Sequence, residues 1–180
     1  PAVFFMSELR DVVIVSAIRT PVGAFQGALS SIAAHKLGAI TIKAVLEETN
    51  VDPGSVDEVI MGNVLSAGQG QAPARQAALG AGLPDSVECL TINKMCGSGL
   101  KAVMLGTQAI QTGDAEIVIA GGMENMTQAP YLLPKGRDGH RLGHGQVIDS
   151  MIIDGLWDAY NDKHMGNCAE LCASEKKYSR

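Results

Sequence analysis

Short continuous apolar runs alternate along this chain with segments of helical periodicity, and that alternation leaves few folds open. The apolar runs are residues 11–17, 56–63, 88–92 and 116–120. Runs without polar alternation mark strands buried on both faces. Between them, Leu37, Ile40, Ala44 and Val45 form one helical stripe within 33–50. Residues 72–81 read as a short helix with Arg75 and Gln76 on its polar side. Leu100, Val103, Met104, Thr107 and Ile110 repeat at helical spacing within 97–112. Turn residues separate the segments: Pro21 and Gly23, Asp52-Pro53-Gly54, Gly82-Leu83-Pro84, Gly113-Asp114. The order β-α-β-α-β-α-β predicts a layered α/β fold with a parallel or mixed sheet and right-handed crossovers.

From about Met123 the pattern changes. Residues 129–146 hold two prolines, four glycines, His140 and His144, and show no periodicity. Irregular excursions of that length are usually functional loops or lids. Residues 147–160 return to helix-like spacing through Ile148, Met151, Ile152 and Leu156. A last helix is expected over 165–177, with Glu170 and Glu175 exposed.

Composition bounds the partners. The 180 residues are 46% hydrophobic and 18% charged, which is globular and enough for one sizeable core. A net charge of -5 without a Lys/Arg cluster argues against nucleic acid. No apolar run reaches membrane-spanning length, and the apolar opening at 1–6 is short for a signal segment. Cys89, Cys96, Cys168 and Cys172 are expected as reduced thiols, so a soluble cytoplasmic protein is the expectation.

One cysteine is placed for chemistry. Cys96 follows the apolar run 88–92 and lies in Asn93-Lys94-Met95-Cys96-Gly97-Ser98-Gly99, at the start of the third helical segment. Unpaired N–H groups and the macrodipole favour negative charge there, which suits a thiolate nucleophile. Gly97 and Gly99 admit a substrate to the backbone, and Lys94 and Lys101 add positive charge. Cys89 sits inside a predicted strand and reads as a structural thiol.

The remaining constellations are weaker. Gly121-Gly122-Met123-Glu124 ends a strand, where a tight turn competes with close ligand approach. His164, Cys168 and Cys172 share a helix face, but the first and last lie too far apart along the axis for one metal ion. His164 is also placed to donate to a substrate carbonyl. The chain has no G-x-S-x-G elbow, phosphate loop or C-x-x-C pair.

The segment 93–103 resembles the nucleophile segment of the thiolases, the acetyl-CoA C-acetyltransferase family. Residues 13–25, 62–65, 70–77 and 120–127, Ala129-Pro130 and His164-Met165-Gly166 resemble further family segments, so the likeness covers nearly the whole chain from Asp11. It implies that Cys96 accepts an acyl group from acyl-CoA and that its own N–H serves an oxyanion hole. It implies that His164, Met165 and Leu156 line the acyl, pantetheine and CoA site. The expected reaction condenses two acetyl-CoA to acetoacetyl-CoA or thiolyses a 3-ketoacyl-CoA. Coenzyme A enters as substrate, and neither a separate cofactor nor a metal is expected.

By the same resemblance, 1–124 is one half of the family's paired fold, 125–180 begins its loop domain, and the intact protein is a homodimer or homotetramer with residues 88–92 at the dimer interface. The family's G-H-P, N-E-A-F and C-G-G-G motifs do not occur here. The chain alone is therefore expected to be incomplete, with little turnover and with apolar surface left open. A non-catalytic CoA-binding or assembly subunit of a split thiolase is the alternative.

Overall fold

The computed structural model describes residues 9–179. A three-stranded parallel sheet in the order β2-β1-β3 is built from β1 (Glu58–Gly62), β2 (Glu88–Ile92) and β3 (Val118–Gly122). β1 is central, pairing Glu58 with both Glu88 and Val118. Its Val59, Ile60 and Met61 are at most 2% exposed, as the unbroken apolar run requires.

Strand alternation sends these side chains to opposite faces. Val59 and Met61 join a core with Ile42 and Leu46 of α1 (Ala34–Thr49) and Ala74, Ala77 and Ala78 of α2 (Pro73–Gly80). Gly62, on the other face, meets Ser98 at the start of α3 (Ser98–Thr112). The sheet is thus layered between helices, as the alternation predicts. α1 ends on Asn50 and α3 on Gly113, both left-handed with φ 53° and 84°. At the start of α2, Ala74 N–H donates to Thr91 Oγ1 of β2 at 2.9 Å.

The expected first strand is absent. Residues 11–20 make no backbone hydrogen bond to the described residues. Val13, Ile14 and Val15 are 74–76% exposed. Among the described residues, the hydrogen bonds that hold the segment run from Arg10 N–H to Gln111 O at 3.3 Å and from Ser16 Oγ–H to Glu48 Oε2 at 2.6 Å. A slot of about 470 Å³ separates it from β3 and from α1 and α3. Apolar composition favours a strand, but a strand exists only where a second backbone pairs with it.

Beyond β3 the chain forms small hairpins. β4 (Tyr131–Leu132) pairs antiparallel with β5 (Ile148–Asp149), flanking an exposed excursion that includes His140 and His144. A π-helical turn (Met151–Leu156) leads to β6 (Trp157–Asp158), which pairs antiparallel with β7 (Lys163–His164). α4 (Met165–Lys176) follows, within the expected span. The helix expected over 147–160 is therefore a turn between two ladders. Its polar side chains capture backbone groups a helix would use. Asp149 Oδ1 accepts from Met151 N–H at 2.9 Å, and Asp158 Oδ1 accepts from Tyr160 and Asn161 N–H at 3.0 and 3.2 Å.

Candidate active site

Cys96 is exposed, two residues before α3. The helix has Gly97 as its N-cap and no side-chain cap. The turn that presents the thiol is closed on its inner side. Met95 is left-handed at φ 49°, a conformation that a branchless glycine takes readily and a methionine does not. Its N–H donates to Asn93 Oδ1 at 2.9 Å, and its C=O accepts from Ser98 N–H at 3.0 Å and Ser98 Oγ–H at 2.6 Å. Ser98 Oγ also accepts from Lys94 N–H at 2.8 Å, and Lys94 C=O accepts from Gly97 N–H at 3.1 Å.

Glycines seat this turn against the sheet. A Cβ on Gly62 would lie 2.5 Å from Ser98 Cβ and 2.8 Å from Gly99 N. A Cβ on Gly122 would lie 3.4 Å from Gly99 Cα. The start of α3 thus rests on the carboxyl ends of β1 and β3 with nothing between the backbones. Gly121 and Gly122 are the last two residues of β3 rather than a turn after it, and what approaches them closely is the start of α3.

Leu156, His164 and Met165 form a separate group. Leu156 ends the π-helical turn, His164 pairs with Trp157 across the β6–β7 ladder, and Met165 opens α4. His164 Nδ1 is already engaged, accepting from Gly166 N–H at 2.9 Å. Met165 is 42% exposed. The fold brings these three together, but no hydrogen bond among the described residues joins them to Cys96.

The group is tied to the sheet through the loop after β1. A Cβ on Gly155 would meet Leu65 Cδ2 at 3.3 Å. Glu124 holds that loop, accepting from Asn63 Nδ2 at 2.9 Å, Val64 N–H at 2.8 Å and Leu65 N–H at 3.1 Å. Burial pushes the Glu124 carboxyl above its ordinary range, and the N–H donors of Val64 and Leu65 hold it back. Asn125 is the matching clamp for the loop before α1, donating to Leu29, Ser30 and Ile32 carbonyls at 3.3, 3.2 and 2.7 Å. Asn63 and Asn125 escape a reading of the sequence, because their partners lie on other elements.

The other thiols sit in different surroundings. Burial pushes the Cys89 thiol up, and Arg75 partly opposes this. Cys168 Sγ lies 3.9 Å from Asp158 Oδ2, and Cys172 is exposed. Among the described residues, no three His, Cys, Asp or Glu side chains gather as a metal site.

An exposed cysteine at a helix start, above the strand ends of a parallel α/β sheet, stands where open α/β sheets hold their ligands. The chain belongs to the thiolase family: the family model for the thiolase N-terminal domain matches residues 12–180. It is 59% identical over 172 residues to the acetyl-CoA acetyltransferase of Pseudomonas aeruginosa, covering 96% of this chain and 44% of that protein. It is 60% identical over 172 residues to the acetyl-CoA acetyltransferase of Cupriavidus necator, with the same coverage of 96% and 44%. Acetyl-CoA acetyltransferase 2 of Arabidopsis thaliana is 57% identical over 171 residues, 95% of this chain and 42% of that protein. The chain therefore spans less than half the length of these curated relatives.

Proposed function

We propose that this chain supplies the nucleophile of a thiolase-type acyltransferase. The Cys96 thiolate attacks the carbonyl carbon of an acyl-CoA. The C–S bond to coenzyme A breaks, a Cys96 thioester forms, and coenzyme A leaves as a thiolate that takes up a proton. The Cys96 N–H donates to the oxyanion formed on the way. The intact protein then condenses two acetyl-CoA to acetoacetyl-CoA or runs thiolysis of a 3-ketoacyl-CoA in reverse. Leu156, His164 and Met165 line the path of the acyl and pantetheine chain. Residues 1–124 form the half-domain that carries the nucleophile, and 125–180 open the substrate loop domain. The working protein is a cytoplasmic homo-oligomer, needs no cofactor beyond its coenzyme A thioester substrate, and serves fatty acid metabolism.

The observation that carries this reading is the exposed Cys96 on a hydrogen-bonded turn at the uncapped start of α3. The test is incubation of the full-length protein with acetyl-CoA, followed by intact-mass measurement and peptide mapping. One acetyl group on Cys96, absent in Cys96→Ala, is the expected result. Full thiolysis by the Cys96→Ala enzyme would sink the reading.

The exposed run Val13-Ile14-Val15 favours a second reading, an assembly subunit that needs another chain to cover it. Acyl transfer appearing only when a chain with the missing G-H-P and C-G-G-G motifs is added would select it.

A further inference from the structure

We propose that Ser98 is a positioning residue that aims the Cys96 N–H, acting through the Met95–Cys96 peptide plane. The proposal rests on the reading of Cys96 as the acyl acceptor. A trans peptide is planar, and its C=O and N–H point in opposite directions. The described chain has no cis peptide bond. The Met95 C=O is pulled toward Ser98 by two donors, the Ser98 N–H at 3.0 Å and the Ser98 hydroxyl at 2.6 Å. The Cys96 N–H in the same plane must then point away from Ser98. Ser98 is 5% exposed and lies against Gly62 of β1, so away from Ser98 is away from the protein body.

The hydroxyl does more than add a bond. It donates to Met95 C=O while accepting from Lys94 N–H at 2.8 Å, so it spans the turn and ties the Asn93–Lys94 peptide to the Met95–Cys96 peptide. Met95 needs that lock. Its φ of 49° is unfavourable for a side chain, and without the hydroxyl only the Ser98 N–H holds the Met95 C=O, so the peptide can relax toward ordinary backbone angles. Rotation would swing the Cys96 N–H away from its outward direction. The thiol would remain exposed, but the donor for a developing oxyanion would be lost. That loss touches the transition state more than substrate binding.

The test uses the full-length enzyme with acetyl-CoA. Ser98→Ala is expected to lower kcat about tenfold or more while KM stays within about twofold, the signature of an interaction made in the transition state. Met95→Gly in the Ser98→Ala background is expected to recover at least about threefold, because glycine holds the left-handed angle without a lock. Labelling of Cys89 by a small alkylating reagent reports general opening, and it should not change. If Ser98→Ala does not fold, Ser98→Cys keeps the shape of the side chain while weakening both bonds, and should lower kcat by about fivefold at constant KM. An unchanged kcat overturns the proposal, as does a loss shared equally by KM or accompanied by Cys89 labelling. The reading of Cys96 fails separately: wild-type enzyme would then show no acetyl group on Cys96. An acetyl group that forms on Cys96 at the wild-type rate in Ser98→Ala overturns the role of Ser98 alone.

Discussion

Gly62 and Ser98 occupy one another's space: a Cβ on Gly62 would stand 2.5 Å from the Ser98 Cβ. Both partners belong to stiff elements, the central strand and the start of α3. Neither can yield as the end of a long side chain would. Gly62→Ala is expected to cost about 1–3 kcal/mol, the range for overpacking a tight core. It should also change the rate of Cys96 alkylation, since the cysteine turn must shift with Ser98. Urea unfolding and thiol labelling of the same sample check both. A fully stable Gly62→Ala protein with unaltered labelling would show that the seat is soft.

Asp57 and Glu58 are neighbours with opposite pH behaviour. Asp57 Oδ2 accepts from Glu116 N–H at 2.7 Å and Ile117 N–H at 2.9 Å. The Ile117 N–H first, and the Glu116 N–H next, hold its carboxyl below the ordinary range. A lowered folded-state value gives stability that is present above the unfolded value and lost as pH falls through the folded one. Asp57→Asn should therefore lower the urea midpoint at neutral pH, and the difference from wild type should close in acid.

Glu58 faces Glu88 directly across the β1–β2 ladder. Burial first, then the Glu88 charge, raises its carboxyl above the ordinary range. Here the folded state binds the proton more tightly, so stability falls as pH rises through the carboxylate range. Removing one of two like charges placed opposite each other should help. Glu58→Gln is expected to gain about 0.5 kcal/mol at neutral pH, with the gain shrinking in acid. A loss of stability at neutral pH would contradict the pairing.

Glu124 anchors the loop that supports the π-helical turn. Glu124→Ala leaves the N–H groups of Val64 and Leu65 without their carboxylate partner. A loss of about 1–3 kcal/mol is expected for stranded donors of this kind. Amide hydrogen exchange should rise in 151–156 as well as in 63–65, because Leu65 packs on Gly155. Exchange confined to 63–65 would show that the two regions are uncoupled.

The run Val13-Ile14-Val15 gives a direct test of its unpaired state. In a sheet core, Ile14→Lys would be severely destabilising. At 76% exposure it should change the stability of this chain by no more than about 0.5 kcal/mol. It should also raise the soluble fraction, because it breaks an apolar run. A steep fall in melting temperature would return residues 11–17 to the core.

Much of the frame is legible in the residues. β2 falls on the expected 88–92, and the helices agree within a residue or two at each end. Those elements carry their signal locally, in periodicity and in breakers such as Pro53 and Gly113. The exposed position of Cys96 just before α3 is legible for a similar reason, because glycines and a strand-to-helix switch surround it. Residues 11–17 are not, since Val-Val-Ile-Val describes a side-chain preference and says nothing about which backbone answers it. Residues 147–160 mislead because Asp149 and Asp158 divert the backbone bonds that the apolar spacing suggested. Ser98, Glu124 and Asn125 are hidden for a third reason: their roles are contacts with β1, the loop after it and the loop before α1.

The open slot beside β3 bears on how a cell would treat this chain. Quality control does not measure free energy. Proteases and chaperones read accessible apolar segments without backbone partners, and Val13-Ile14-Val15 present one, with no backbone hydrogen bond among the described residues. A cooperative core around Val59 and Ile60 offers no defence there, since cleavage of the run needs no unfolding of the sheet. The abundance of the chain would then follow how soon something occupies the slot, and stability gained elsewhere in the molecule would leave its lifetime unchanged.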